Sequence, residues 1–178
     1  DQVLAGMRLA NRVSINLEAP NSEHLARLAP HKVFLDELLQ RLRWVEEIRR
    51  ELPGRWPSST TQFVVGAVGE SDVELLSTTE YLYRRLRLAR AYFSRFQPVP
   101  DTPLENLPAT PPLREHRLYQ SSFLLRDYGF TVEELPTDQA VKSDFASYER
   151  KCAVDGRTLT ITENIARQEQ VDRLIATQ

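Results

Sequence analysis

Cysteine is almost missing from the 178 residues: Cys152 is the only one. A single thiol forms no internal disulfide and supplies no Cys-based zinc or iron–sulfur site by itself, so chemistry needing several thiolates has to come from outside this chain. An excess of one charge is missing too. Lys plus Arg number 23 and Asp plus Glu 25, for a formal net charge of -2. A domain dedicated to nucleic acid is usually strongly basic, so the balance excludes a uniformly basic binder and leaves room for a local basic groove. No apolar run approaches the roughly 20 residues that a membrane span needs, and no membrane partner is expected. The N-terminus lacks a basic stretch followed by an apolar segment and a cleavage site, so no secretory signal is read and a cytoplasmic location is expected. No histidine has a second His or Cys at metal-ligand spacing, and His24, His31 and His116 read as surface residues. There are no internal repeats and no low-complexity stretches. The length excludes a closed (β/α)8 barrel, which takes about 200 residues or more.

What is present fits one globular domain with a hydrophobic core, at 41% hydrophobic and 27% charged residues. The chain opens at Asp1, without an initiator Met, inside what reads as the last turns of a helix carrying Val3, Leu4, Met7 and Leu9. A piece of a longer protein is the expectation. Val13, Ile15 and Leu17 then alternate with Ser14, Asn16 and Glu18, the period of two of a strand that Pro20 stops. Asn21 or Ser22 caps a short helix that Pro30 ends. From Val33 to Glu51 the spacing of Phe34, Leu35, Leu38, Leu39, Leu42, Val45 and Ile48 predicts one long helix with a single apolar stripe.

The near-continuous apolar run TTQFVVGAVGES predicts a strand buried on both faces, as in a parallel sheet. Ser71 and Asp72 can cap a helix running to Leu88, and ARAYFSRFQPV is a third strand. The Pro-rich PDTPLENLPATPPL is an extended loop. A helix over Arg114–Tyr128 follows, stopped by Gly129. Strand and helix thus alternate three times, which predicts parallel strands in an α/β fold. The rhythm breaks after Leu135. The tail 136–178 holds a DG step between two β-prone runs, a hairpin signal, then a helical pattern over ENIARQEQVDRLIATQ. A boundary between 1–135 and 136–178 is expected.

In parallel α/β folds ligands bind at the C-terminal ends of strands. Three features fall there. Asn16 and Glu18, two apart, share a strand face; an amide beside a carboxylate can hold an amine and ribose hydroxyls, or be solvated strand-end polarity. In GAVGES, Gly66 and Gly69 permit close backbone approach and Glu70 sits at a helix N-terminus, though an ordinary βα turn has the same make-up. FQPVPDTPL gives a stiff loop that can wall a pocket, or merely connect. Arginine is dense in two stretches, Arg41 to Arg55 and Arg84 to Arg95, and reads as solvated helix faces or as a phosphate-contacting surface. Cys152, beside Lys151, reads as a packed or half-exposed strand residue or as a reactive thiol.

Together, SINLEAP, FVVGAVGES and FQPVPDTPLENLPATPPLREHRLYQ resemble three successive strand ends of radical S-adenosylmethionine (radical SAM) enzymes. The run from about Val3 to Leu135 is similar to the radical SAM family linked to DNA modification and repair, whose members are associated with a uracil-DNA-glycosylase-like partner. The resemblance implies the C-terminal half of a partial (β/α)6 barrel. It implies Asn16 and Glu18 against the ribose and methionine part of S-adenosylmethionine, with Gly69 and Glu70 bordering the same ligand. It also implies Gln97, Pro98 and Thr102 near the adenine. The activity it implies is formation of a deoxyadenosyl radical through a [4Fe–4S] cluster, with nucleic acid as a target. The C-x-x-x-C-x-x-C motif that holds the cluster is not in this chain, and Asp101 stands where the pattern usually has Gly. A non-catalytic α/β binding or interaction module is the competing expectation, and a phosphate-binding domain built on the arginine-rich helices is a third.

Overall fold

The computed structural model describes residues 2–135 and two further strands at 149–154 and 157–162. The chain divides into two compact units, Asp1–Val132 and Glu133–Gln178. The first is α/β: helix α1 (Gln2–Leu9), strand β1 (Arg12–Ser14), α2 (Ser22–Leu28), α3 (Gln40–Glu51), β2 (Ser58–Val65), α4 (Asp72–Leu86), β3 (Arg90–Arg95) and α5 (Pro112–Asp127). Its three strands lie in the order β1-β2-β3 and both pairings are parallel. In the second unit, β4 (Glu149–Val154) and β5 (Arg157–Thr162) pair antiparallel, with Val154 opposite Arg157 at the end of the ladder. The antiparallel pair flanks the DG step as expected; the helical pattern over 163–178 lies outside the described residues.

The elements follow from local chemistry. Asn21 caps α2 by accepting from the His24 N–H at 3.0 Å. Ser71 and Glu74 form a reciprocal capping box on α4, satisfying amides that the first turn would otherwise leave orphaned. The expected helix over Val33–Glu51 is not one regular helix: Phe34–Leu39 is a π-helical stretch that runs into α3. The wider turn shifts the side-chain register, so Leu35 is 51% exposed while Phe34, Leu38, Leu39, Leu42 and Val45 are buried. Leu9, expected on the apolar side of α1, is exposed, and Met7 carries that helix into the core. The core is centred on β2 and β3, where Phe63 and Phe93 stack at 5.9 Å and Tyr119 of α5 meets Phe93 edge-on at 5.4 Å.

The two edges of the sheet are finished differently. On the outer side of β3, the Ala91 N–H donates to the Tyr83 hydroxyl and the Phe93 N–H to the Tyr119 hydroxyl, each at 3.1 Å. Side chains of α4 and α5 thereby occupy donors that another strand would use. On β1, the Asn11 carbonyl and the Ile15 N–H face β2, so by alternation Arg12 and Ser14 turn their backbone groups the other way. No strand pairs with that side among the described residues.

Candidate functional site

Because the strands are parallel, the segments leaving β1, β2 and β3 emerge along one edge of the sheet. The first is irregular. Ser14 is opposite Thr60, but Glu18 is opposite Phe63, so four steps on one strand match three on the other. The surplus residue is a bulge, organised by the buried Thr61 hydroxyl, which donates to the Ile15 carbonyl at 2.8 Å and accepts from the Leu17 N–H at 3.1 Å. Glu18 then adopts φ of +66°, an uncommon conformation for a residue with a Cβ. It is pinned there: its N–H donates to the Gln62 carbonyl, its carbonyl accepts from Val64, and the Ala19 N–H reaches back to Leu17. Its carboxylate is 20% exposed and lies 3.0 Å from Lys32 Nζ. Asn16 is half-buried and its Oδ1 accepts from the Ser14 hydroxyl at 2.8 Å. The alternation of a plain strand, which placed Asn16 and Glu18 on one face, does not run through this stretch, because the bulge resets the register.

The second segment is a loop folded around its own carboxylate. Glu70 is fully buried as a side chain. One oxygen accepts from the Gly66 N–H and the other from the Val68 N–H at 3.3 Å. Arg114 of α5 brackets this turn, donating to the Glu70 carbonyl at 2.7 Å and to Asp72 at 2.8 Å. Glu70 therefore shapes the loop from inside, and Gly69 is the exposed residue that the loop presents. The third segment follows β3. Gln97 is exposed, Pro98 and Thr102 are half-buried, and Thr102 Oγ1 donates to the Val99 carbonyl at 2.7 Å. Asp101 has φ of +62°, which Asp tolerates better than most residues with a Cβ. It thus reproduces the backbone that a glycine would give at this point, held by its N–H on Glu105 Oε2 at 2.8 Å.

One polar cluster at this edge was not anticipated. His24 is buried, not a surface residue, and its Nε2 lies 3.1 Å from Glu74 Oε1, which also accepts from Asn21 Nδ2 at 3.1 Å. The cluster ties the α2 cap to the α4 cap. Nothing local in the sequence announces it, since Glu74 is 50 residues beyond His24. His31 and His116 are exposed, as expected. The Ser71 N–H holds the Glu74 carboxyl below its ordinary pKa; burial opposes this, and the Ser71 hydroxyl and His24 reinforce it. A carboxyl whose pKa is depressed on folding adds stability above its unfolded pKa, about 4.3, and loses that contribution as pH falls through the folded value. Gln at N3 can still close the capping box, so Glu74→Gln removes the charge alone and is expected to lower stability by about 0.3–1 kcal/mol near neutral pH, the usual worth of a negative charge at a helix N-terminus. The difference from the parent should shrink at about pH 3. Urea midpoints at the two pH values check this, and a constant difference would rule it out.

The dense arginines are largely spoken for. Arg49 lies on the Pro57 carbonyl and Ser59, and burial pulls its pKa down against the opposing pull of Glu46. Arg84 pairs with Glu80, Arg95 with Glu115 and Arg90 stacks on Tyr92. Among the described residues no cluster of His, Cys, Asp and Glu could hold a metal ion, and no helix is long and apolar enough to cross a membrane. No protein-family model, curated protein or solved structure matches this chain.

Proposed function

We propose that the first unit is the C-terminal half of a partial (β/α)6 barrel of radical SAM type, with S-adenosylmethionine at the C-terminal edge of the sheet. The observation that carries the reading is Glu18: a partly exposed carboxylate held at a left-handed backbone position by β2. The edges support the architecture, since the tyrosines close β3 as a terminal strand, and among the described residues no strand pairs with the far side of β1, where a preceding one would lie.

The residues fit the ligand. Glu18 offers an acceptor for a hydroxyl or ammonium group, and Asn16, half-buried on the same bulged segment, leaves its amide NH2 as a donor. A Cβ added at Gly69 would meet nothing within 4 Å, so the loop has open space in front of it. The 97–102 loop supplies a rigid wall. When bound, S-adenosylmethionine supplies a sulfonium with an activated carbon–sulfur bond. The chain's own part is to bind and orient it: Glu18 takes donors, Glu70 holds Gly69 in place, and Arg114 holds Glu70. The [4Fe–4S] cluster does not fit this chain, whose single cysteine cannot ligate it. A binding module that holds the nucleotide without transforming it is the second reading, favoured by that same cysteine count. Nucleic acid as the target, and a uracil-DNA-glycosylase-like partner, belong to the proposal through the resemblance alone.

Titration calorimetry of the chain with S-adenosylmethionine tests the site. Glu18→Gln is expected to weaken binding about ten- to a hundredfold, because a hydrogen bond to a charged group is worth about 1.5–3 kcal/mol. Unchanged affinity in the folded variant would remove the assignment.

A further inference from the structure

We infer that Lys32 is a removable cap on the Glu18 carboxylate, a residue that sets how strongly the site takes its ligand. The inference rests on the reading of Glu18 as a ligand acceptor and adds a control on that acceptor. The backbone of Glu18 is held on both sides, its N–H and carbonyl engaged by β2 at 2.9 and 2.8 Å. Only its side chain is free to choose partners. Among the described residues the carboxylate has one, Lys32 Nζ at 3.0 Å on Oε1. Lys32 sits in the turn after α2, where its N–H donates to the Ala29 carbonyl at 2.9 Å. Its side chain is 46% exposed, against 20% for Glu18.

That asymmetry matters. An ion pair with one half-exposed partner contributes little to folding, so opening it is cheap. Its effect on an incoming ligand is larger. A hydroxyl or ammonium group donating to Glu18 meets a carboxylate already neutralised by an ammonium, and must share it or displace Lys32. In the ligand-free protein Lys32 thus does what a ligand donor would do, keeping a partly buried carboxylate paired. Swinging outward uncovers only part of the Lys32 stem, since the side chain is already 46% exposed, so the cap leaves without unfolding the turn that carries it.

The test is a double-substitution cycle on the full chain, using Lys32→Met, which keeps the apolar stem, and Glu18→Gln, with S-adenosylmethionine as the probe. Lys32→Met is expected to tighten binding about threefold, the scale of a half-exposed pair. In the Glu18→Gln background the same substitution should change nothing. Urea unfolding of each variant confirms that it is folded. Weakened binding in Glu18→Gln with no gain from Lys32→Met overturns the cap and keeps the site. An equal gain in both backgrounds also overturns it, since Lys32 would then act on the cationic ligand at a distance. Full affinity in Glu18→Gln removes the site and the cap together.

Discussion

Gly66→Ala is expected to destabilise the first unit by about 2–5 kcal/mol, combining about 1–2 for a side chain at positive φ with about 1–3 for overpacking. Gly66 has φ of +90°, and a Cβ there would lie 1.9 Å from Thr110 Oγ1. Thr110 cannot easily yield. It is buried, its hydroxyl donates to the Val65 carbonyl at 2.7 Å, and its N–H donates to the Phe96 carbonyl at 2.9 Å. Rotating it would strip a bond from the last residue of β2, and the new methyl group would still lie 3.1 Å from Thr110 Cβ and 3.2 Å from Arg114 Nη1. Gly69 is the internal control. Its φ of +82° carries the same backbone cost, but a Cβ there meets nothing within 4 Å. Gly69→Ala should therefore lose only about 1–2 kcal/mol. Urea denaturation of both variants separates the contributions. Adding Thr110→Ala to Gly66→Ala should recover part of the loss, because the closest clash goes with the hydroxyl. Equal losses at the two glycines would mean that Thr110 gives way and that packing plays no part.

These two glycines mark the reach of a sequence reading. Their pattern, two glycines and a glutamate between an apolar run and a capping serine, placed a βα turn correctly, because turn chemistry and the capping box are local. The same locality made β2, α4 and α5 legible to within a few residues. What the sequence does not display is which distant group each loop residue meets. Gly66 is constrained by Thr110, 44 positions on. Glu18 read as the end of an alternating strand, yet its backbone is set by a bulge around Thr61, a residue from the neighbouring strand. His24 read as exposed because nothing near it in sequence could hold it, and Glu74 does so from another helix. Leu35 fell off the apolar stripe because a π-helical turn changed the period on which the stripe was counted. At Gly66, Glu18 and His24 a long-range contact overrode a correct local pattern, and at Leu35 a change of helix period did. At Asp101 the backbone takes a positive φ without a glycine, since Asp reaches that region at small cost.

Glu70→Ala is expected to lower stability by about 3–5 kcal/mol, the range for removing one partner from a buried charged pair. The carboxylate is fully buried and accepts the Gly66 and Val68 amides, while Arg114 approaches its Oε1 at 3.7 Å. Alanine leaves both amides without an acceptor inside the loop, and each unsatisfied buried group costs about 1–3 kcal/mol. Arg114 is less affected, because its bonds to the Glu70 carbonyl and to Asp72 remain. Glu70→Gln separates shape from charge. The amide oxygen can still accept one N–H, but its NH2 group faces the other amide donor, so a loss of about 1–3 kcal/mol is expected. Arg114→Met in the Glu70→Ala background should cost less than Arg114→Met alone, because the guanidinium by then has one partner fewer. Additive losses would show that the arginine serves only Asp72 and the backbone. The consequence for the site follows from position. Glu70 is fully buried as a side chain, so in the proposed site its effect on binding runs through the position of Gly69, which the loop presents. If the site takes S-adenosylmethionine as proposed, a folded Glu70→Gln chain should bind it more weakly, while additional Gly69→Ala should add less than it does in the parent, since the loop it would disturb is already displaced. Undiminished binding by Glu70→Gln would confine this carboxylate to stability and leave Glu18 to carry the ligand without it.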